Sequence, residues 1–188
     1  MVDVLRKMPS PLFTSADAAK LVPNDNVFLF RASRKGYVQK ITNKVYWNVL
    51  FSDKPPSVEQ VACFARQPSY VSCEWALNYH GVLLQAPTVC TAITLHPGIG
   101  SRNRIEYGDY VIEYSRIAER LYRPEQILNM DNMLMATPEK ALLDSVYLRK
   151  QVPFADELEI DILNMKKLAV IASIYPTRVR KALEGLGE

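Results

Sequence analysis

Two adjacent prolines, Pro55 and Pro56, directly follow Asp53-Lys54 and interrupt a chain of 188 residues within its first third. Each proline fixes φ and removes a backbone donor, so neither a helix nor an inner strand runs through the pair. The chain therefore divides into residues 1–54 and residues 55–188, two domains of unequal size. A hydrophobic fraction of 48% supplies the apolar surface both need, and with 23% charged residues the chain lies outside the disordered class.

The formal charge is only +3, too little to identify a nucleic-acid binder, but it is unevenly placed. Residues 1–54 hold 9 Lys and Arg against 4 Asp and Glu, and the remainder holds 14 against 16. The excess of base is at the front. There, Val2 to Met8 reads as a short helix that Pro9-Ser10-Pro11 ends. Phe13-Thr14-Ser15-Ala16-Asp17 reads as a second helix start, Thr14 accepting from the amide three residues on while Asp17 reaches back. That helix is expected to run to about Leu21, before Pro23.

Asn24-Asp25-Asn26 then offers caps for a third segment, Val27 to Lys35, closed by Gly36. Its opening, Val27-Phe28-Leu29-Phe30, is apolar enough to be a buried strand. The glycine stop and the crowding of Arg31, Arg34 and Lys35 into the last turn, where cations suit the dipole, favour a helix. Two β-prone runs follow, Tyr37 to Ile41 and Val45 to Val49, joined by Thr42-Asn43-Lys44 as a hairpin. Three helices and a hairpin in that order are the order of a winged helix-turn-helix.

Beyond the prolines, Ser57-Val58-Glu59-Gln60 opens a helix to about Arg66, and Ser72 caps another that runs to His80 and stops at Gly81. Thr88 to Leu95, Tyr110 to Ile117 and a run near Asn132 to Ala136 are strand-like, with turns at Pro97-Gly98-Ile99-Gly100 and Tyr107-Gly108-Asp109. Thr137-Pro138-Glu139 is a helix start leading into Ala141 to Lys150, with Leu142, Leu143, Val146 and Tyr147 as its buried stripe. Helical periodicity continues through Leu158, Ile162, Leu168, Ile171 and Ile174, and Thr177 caps a last helix from Arg178 to Glu184. The expected class is α+β, an N-terminal winged helix followed by a larger mixed domain.

Cys63, Cys73 and Cys90 are odd in number and lack metal-ligand spacing, so neither disulfides nor zinc are expected, and a reducing cytoplasm is implied. No apolar run approaches the ~20 residues that span a bilayer, and the N-terminus lacks a signal-peptide core. No cofactor, metal or membrane is expected.

Several of these segments together resemble one family. Phe13-Thr14-Ser15-Ala16-Asp17, Ser33-Arg34-Lys35-Gly36-Tyr37 and Val45-Tyr46 resemble the helix start, recognition-helix end and wing of the AbiEi-type antitoxins of type IV toxin-antitoxin systems. Tyr70 to Gly81 is similar to that family's YVS…ALNYHG block, Ala136 to Asp144 to its ATPEKALLD block, and Leu163 to Leu186 to its helical tail. The resemblance implies a transcriptional repressor that binds the promoter of its own operon through the front domain. It further implies that the larger domain counteracts a nucleotidyltransferase toxin without a stable complex.

On the reading of the front as a winged helix, the helix from Asn24 to Lys35 enters the major groove. Asn24, Asn26, Arg31, Arg34 and Lys35 then reach bases or phosphates, and the wing brings Lys40, Asn43 and Lys44 to the backbone. The plainer alternative is a solvated basic face on a protein-binding winged helix.

Two catalytic readings compete less well. Ser72, Cys73, Glu74 and His80 are close in sequence, but eight residues of helix put roughly 12 Å between Ser72 and His80, too far for proton transfer. Glu139-Lys140 with Asp131 and Asp144 would suit a metal-dependent nuclease only if a strand presented them, and Glu139 instead occupies the first turn of a helix. Arg102, Arg104, Arg116, Arg120 and Arg123 form a second basic group, either an extension of a DNA footprint, a face for an acidic partner or solvated surface.

Overall fold

The structure is a computed structural model and describes every residue except 53, 98–102, 185, 187 and 188. The chain is mixed α+β and forms two compact units, Met1–Ser57 and Val58–Glu188, each with its own sheet. The turn expected at Pro97 to Gly100 and the arginine at 102 fall largely outside the described residues.

The first unit begins with α1 (Val2–Leu5), followed by β1 (Leu12–Thr14), α2 (Ser15–Ala19), α3 (Asp25–Arg34), β2 (Val38–Thr42) and β3 (Val45–Asn48). Thr14 and Asp17 form the reciprocal cap expected of them: the Asp17 amide donates to the Thr14 hydroxyl at 3.2 Å, and the Thr14 amide donates to the Asp17 carboxylate at 3.0 Å. The helix they open is only five residues long and ends at Ala19, short of Leu21.

The same Thr14 closes a strand that sequence reasoning missed. β1 pairs antiparallel with β3, Phe13 opposite Tyr46, and β3 pairs with β2, giving the order β1-β3-β2. The hairpin between β2 and β3 turns at Asn43-Lys44, with Lys44 in the left-handed region at φ 71.

The segment that could have been a strand is helical. In α3 the Val27 amide donates to the Asn24 side chain at 3.3 Å, and the turn ends where Gly36 takes φ 72. Beyond that glycine, the Tyr37 amide donates back to the Ala32 carbonyl at 3.0 Å, the closure a left-handed residue makes possible. Leu29 and Ala32 face inward, joining Leu5, Met8, Phe13, Ala18 and Val38 in the core. Buried Asn48 ties the ends of this unit together, donating to the Leu5 carbonyl at 2.9 Å and accepting from the Leu50 amide at 3.2 Å.

In the second unit, α4 (Val58–Ala65) leads to β4 (Ser69–Val71), α5 (Cys73–Tyr79), β5 (Val89–Thr94), β6 (Arg104–Tyr107) and β7 (Tyr110–Arg116). Then come β8 (Ile127–Met130), β9 (Met133–Ala136), α6 (Pro138–Arg149), α7 (Met165–Ala172) and α8 (Thr177–Ala182). The sheet order is β6-β7-β5-β4-β9-β8; β5 runs parallel to β7 and β4 parallel to β9, and the other neighbours are antiparallel. The β8–β9 hairpin turns on Asp131 and Asn132, both at positive φ as a two-residue turn of right-handed twist needs.

Two expected caps are placed differently. Ser72 precedes α5, but its hydroxyl donates to Asp144 at 2.8 Å instead of accepting from the helix, because that carboxylate is buried beside it. Thr177 is the first residue of α8, not its cap, and its hydroxyl accepts from Arg180 at 3.1 Å. α6 also carries more than a stripe: beside Leu142, Leu143 and Val146, its polar residues Glu139, Lys140, Asp144 and Ser145 are buried.

Candidate nucleic-acid interface

The geometry of α3 decides which of its side chains meet solvent. At about 100° per residue, the inward positions Leu29 and Ala32 leave the opposite face to Asn26, Val27, Phe30, Arg31 and Arg34. All five are exposed. Asn24 stands at the helix entrance with its side-chain oxygen used as the cap, and Lys35 stands exposed at the exit. On the hairpin, Lys40 projects from β2, while Asn43 and Lys44 form the tip, all three exposed. The fold thus gathers Asn26, Arg31 and Arg34 on one helix face and Lys40, Asn43 and Lys44 on one hairpin.

Among the described residues, none of Arg31, Arg34, Lys35, Lys40 or Lys44 is ion-paired with a carboxylate. The Asp17 carboxyl is held below its usual value by its bond from Lys20, with further help from Thr14, so that acid serves Lys20 and the helix cap. Five un-neutralised cations in one small unit leave donors for phosphate oxygens and base edges. Arg34 is positioned as well as exposed, its guanidinium carbon 5.9 Å from the Phe30 ring centre.

Sequence reasoning assigned Val27 and Phe30 to an apolar run and missed them as surface residues. Phe30 is 63% exposed and Val27 41% exposed. The signal was available in the spacing: Phe30 lies four residues from Asn26 and four from Arg34, so any helix that exposes both exposes it too.

The second unit holds a denser polar cluster. The Lys140 ammonium, fully buried, donates to Asp144 Oδ1 at 3.1 Å, to the Leu121 carbonyl at 2.9 Å and to Tyr175 Oη at 3.2 Å. Asp144 also accepts from Tyr175 at 2.6 Å, Tyr70 at 2.9 Å and Ser72 at 2.8 Å. Burial, and then the Asp144 charge, push both phenols well above their ordinary range, so they remain donors. Every hydrogen-bonding position of the ammonium is filled from within.

The residues near Ser72 point to separate partners. His80 Nε2 donates to the Ala136 carbonyl at 2.8 Å, and Glu74 accepts from Ser145 at 2.8 Å and from Arg149 through both carboxylate oxygens at 3.2 Å. Burial pushes the Cys73 thiol well above its ordinary range, which keeps it from being a thiolate. Glu139, in the first turn of α6, takes the Asn164 amide at 3.2 Å and Lys167 at 2.9 Å. Burial would raise its carboxyl, but these partners hold it below the usual value.

A cleft of about 410 Å³ opens at the carboxyl ends of the parallel strands β5 and β7, lined in part by Arg66, Thr94, His96, Asn103, Glu113 and Arg116. Two of its polar side chains have partners in the protein: Arg66 donates to Asn103 at 3.0 Å and lies 4.7 Å from the Tyr114 ring centre, and His96 donates to the Gln67 carbonyl at 2.8 Å. Among the described residues, no three His, Cys, Asp or Glu side chains are grouped to hold a metal ion, and no helix is long and apolar enough to cross a membrane.

No family model matches the chain, and no curated protein matches it. Among solved structures it is similar to the RV2827C protein from Mycobacterium tuberculosis, with a TM-score of 0.63 and 12% identity over 100% of this chain and 75% of that one. At that identity the likeness concerns the fold.

Proposed function

We propose that the chain is a non-enzymatic, sequence-specific DNA-binding repressor whose first unit is a winged helix, with α3 as recognition helix and the β2–β3 hairpin as wing. The observation that carries this reading is the set of exposed cations on those two elements, Arg31, Arg34, Lys35, Lys40 and Lys44, none of them ion-paired with a carboxylate among the described residues. Asn26 supplies the amide that pairs with adenine, and Arg31 and Arg34 the guanidinium groups that pair with guanine or phosphate. Lys40, Asn43 and Lys44 meet the backbone.

The resemblance of Tyr70 to Gly81 and Ala136 to Asp144 to AbiEi-type antitoxins supplies the second half of the proposal. The DNA bound is the promoter of the chain's own operon, and the larger unit counteracts a nucleotidyltransferase toxin without a lasting complex. A nuclease reading of Lys140 and Asp144 gains nothing from their geometry, since each is already fully hydrogen-bonded inside the unit.

A mobility-shift titration with the DNA directly upstream of the chain's own reading frame tests the first half, with Arg34→Ala and Lys44→Ala beside wild type. Loss of Lys44 should weaken binding to all sequences alike, and loss of Arg34 should relax sequence preference. Equal affinity of wild type for upstream and random DNA at physiological salt overturns the repressor.

A further inference from the structure

We infer that Phe30, seconded by Val27, is a specificity residue that reads the 5-methyl group of thymine in the major groove, an inference that rests on α3 being the recognition helix. Asn26, Phe30 and Arg34 are spaced four apart, so Phe30 lies between the two polar groups on the exposed side of α3, away from Leu29 and Ala32. It is the most exposed of the chain's aromatic side chains among the described residues, 63% open, and Val27 beside it is 41% open.

An aromatic ring and an isopropyl group in the middle of a cationic face have no role in contacting phosphate, which offers nothing apolar. The one apolar group that a base pair presents in the major groove is the thymine C5 methyl. Charge selects the same partner, because among the described residues no carboxylate is ion-paired with the cations around the apolar pair, Arg31, Arg34 and Lys35. A DNA duplex answers both demands together, methyl against ring and phosphate against guanidinium.

The neighbour relation sharpens the assignment. Arg34 lies against the Phe30 ring, 5.9 Å from its centre, so ring and guanidinium are presented as one surface. Side chains four apart on a helix are separated by roughly 6 Å, one to two base-pair steps. The site therefore reads a thymine within two steps of the base or phosphate that Arg34 meets.

The upstream duplex prepared with deoxyuridine in place of every thymidine tests this directly, since uracil pairs identically and lacks only the methyl. Wild type, Phe30→Ala and Phe30→Leu are titrated on both duplexes and on random DNA, with thermal melting of each variant as a check on folding. Wild type should bind the thymine duplex about fourfold tighter per methyl contacted, the value of one buried carbon. Phe30→Ala should lose that ratio, while Phe30→Leu keeps part of it.

Equal wild-type affinity for the two duplexes overturns the inference, as does a ratio that survives Phe30→Ala. Wild type that prefers neither duplex to random DNA overturns the repressor reading and this inference with it. If Phe30→Ala binds too weakly to titrate, the Phe30→Leu ratio decides: a thymine-to-uracil ratio smaller than that of wild type supports the methyl contact, whereas a ratio equal to that of wild type, with or without uniform weakening on both duplexes, overturns it.

Discussion

Lys140 and Asp144 are both fully buried, and each has its charge answered by the other at 3.1 Å. Three hydroxyls, from Tyr70, Tyr175 and Ser72, complete the carboxylate, and the Leu121 carbonyl completes the ammonium. Removing one partner of such a pair strands the other in a medium that cannot solvate it, which is worse than never having had either. Lys140→Met should lower unfolding free energy by about 3–5 kcal/mol, read from urea midpoints at constant slope. The double change Lys140→Met with Asp144→Leu should cost less than the two single changes added together. Additive costs would mean that the two charges do not depend on each other. Sequence reasoning weighed these residues as part of a metal-dependent nuclease core and set that reading aside, but it did not pair them with each other, because a lysine and an aspartate one helical turn apart look alike whether they face water, a metal or each other. Only the fold, which brings Tyr70 and Tyr175 from distant positions, separates those cases.

The elements show which local signals were legible. Caps and stops were: Thr14 with Asp17, Asn24, Gly36 and Gly81 act within a few residues, so their chemistry is written where it operates. Thr14→Ala should cost about 1 kcal/mol of stability in a denaturant titration, because α2 is too short to hold its entrance without that bond. Strands of three residues were not legible, since Leu12–Thr14 and Ser69–Val71 are too brief to display alternation and exist only by pairing with distant partners. Ser72 shows the limit from the other side: its sequence context is that of a cap, but the buried Asp144 takes its hydroxyl. The helices α5 and α6 are joined by Glu74, Arg149 and Ser145, and this contact gives a pH dependence. Burial alone would raise the Glu74 carboxyl, but Arg149 and Ser145 outweigh it and hold it below its ordinary value. The unfolded chain then takes up that proton first as pH falls. The contribution is full above the unfolded value of about 4.3 and disappears as pH drops through the lower folded value. Glu74→Gln should accordingly flatten the fall in urea midpoint between about pH 5 and pH 3. An unchanged slope would place the acid sensitivity elsewhere, with Glu139 the next carboxylate to test.

Across the whole chain, the charge is divided along the same line as the fold. The unit Met1–Ser57 carries the basic excess, and the larger unit is close to neutral with an acidic bias. If the first unit alone meets DNA, the counterions released on binding must come from contacts with its lysines and arginines, and the salt dependence of binding counts them. Lys40→Ala and Lys44→Ala should each reduce the slope of log affinity against log salt by about one unit, with little change in sequence preference. The second basic group offers the contrast. Arg104 and Arg116 stand exposed on β6 and β7, and Arg120 and Arg123 follow in and beside a short 3-10 turn, where Arg123 lies 4.0 Å from Glu125. Arg120→Ala and Arg123→Ala should leave the slope where it was. A loss of slope from those changes as large as that from Lys44→Ala would carry the footprint onto the larger unit. The division of labour proposed for the two units would then fail, because the same surface would have to serve both DNA and the antagonism of the toxin.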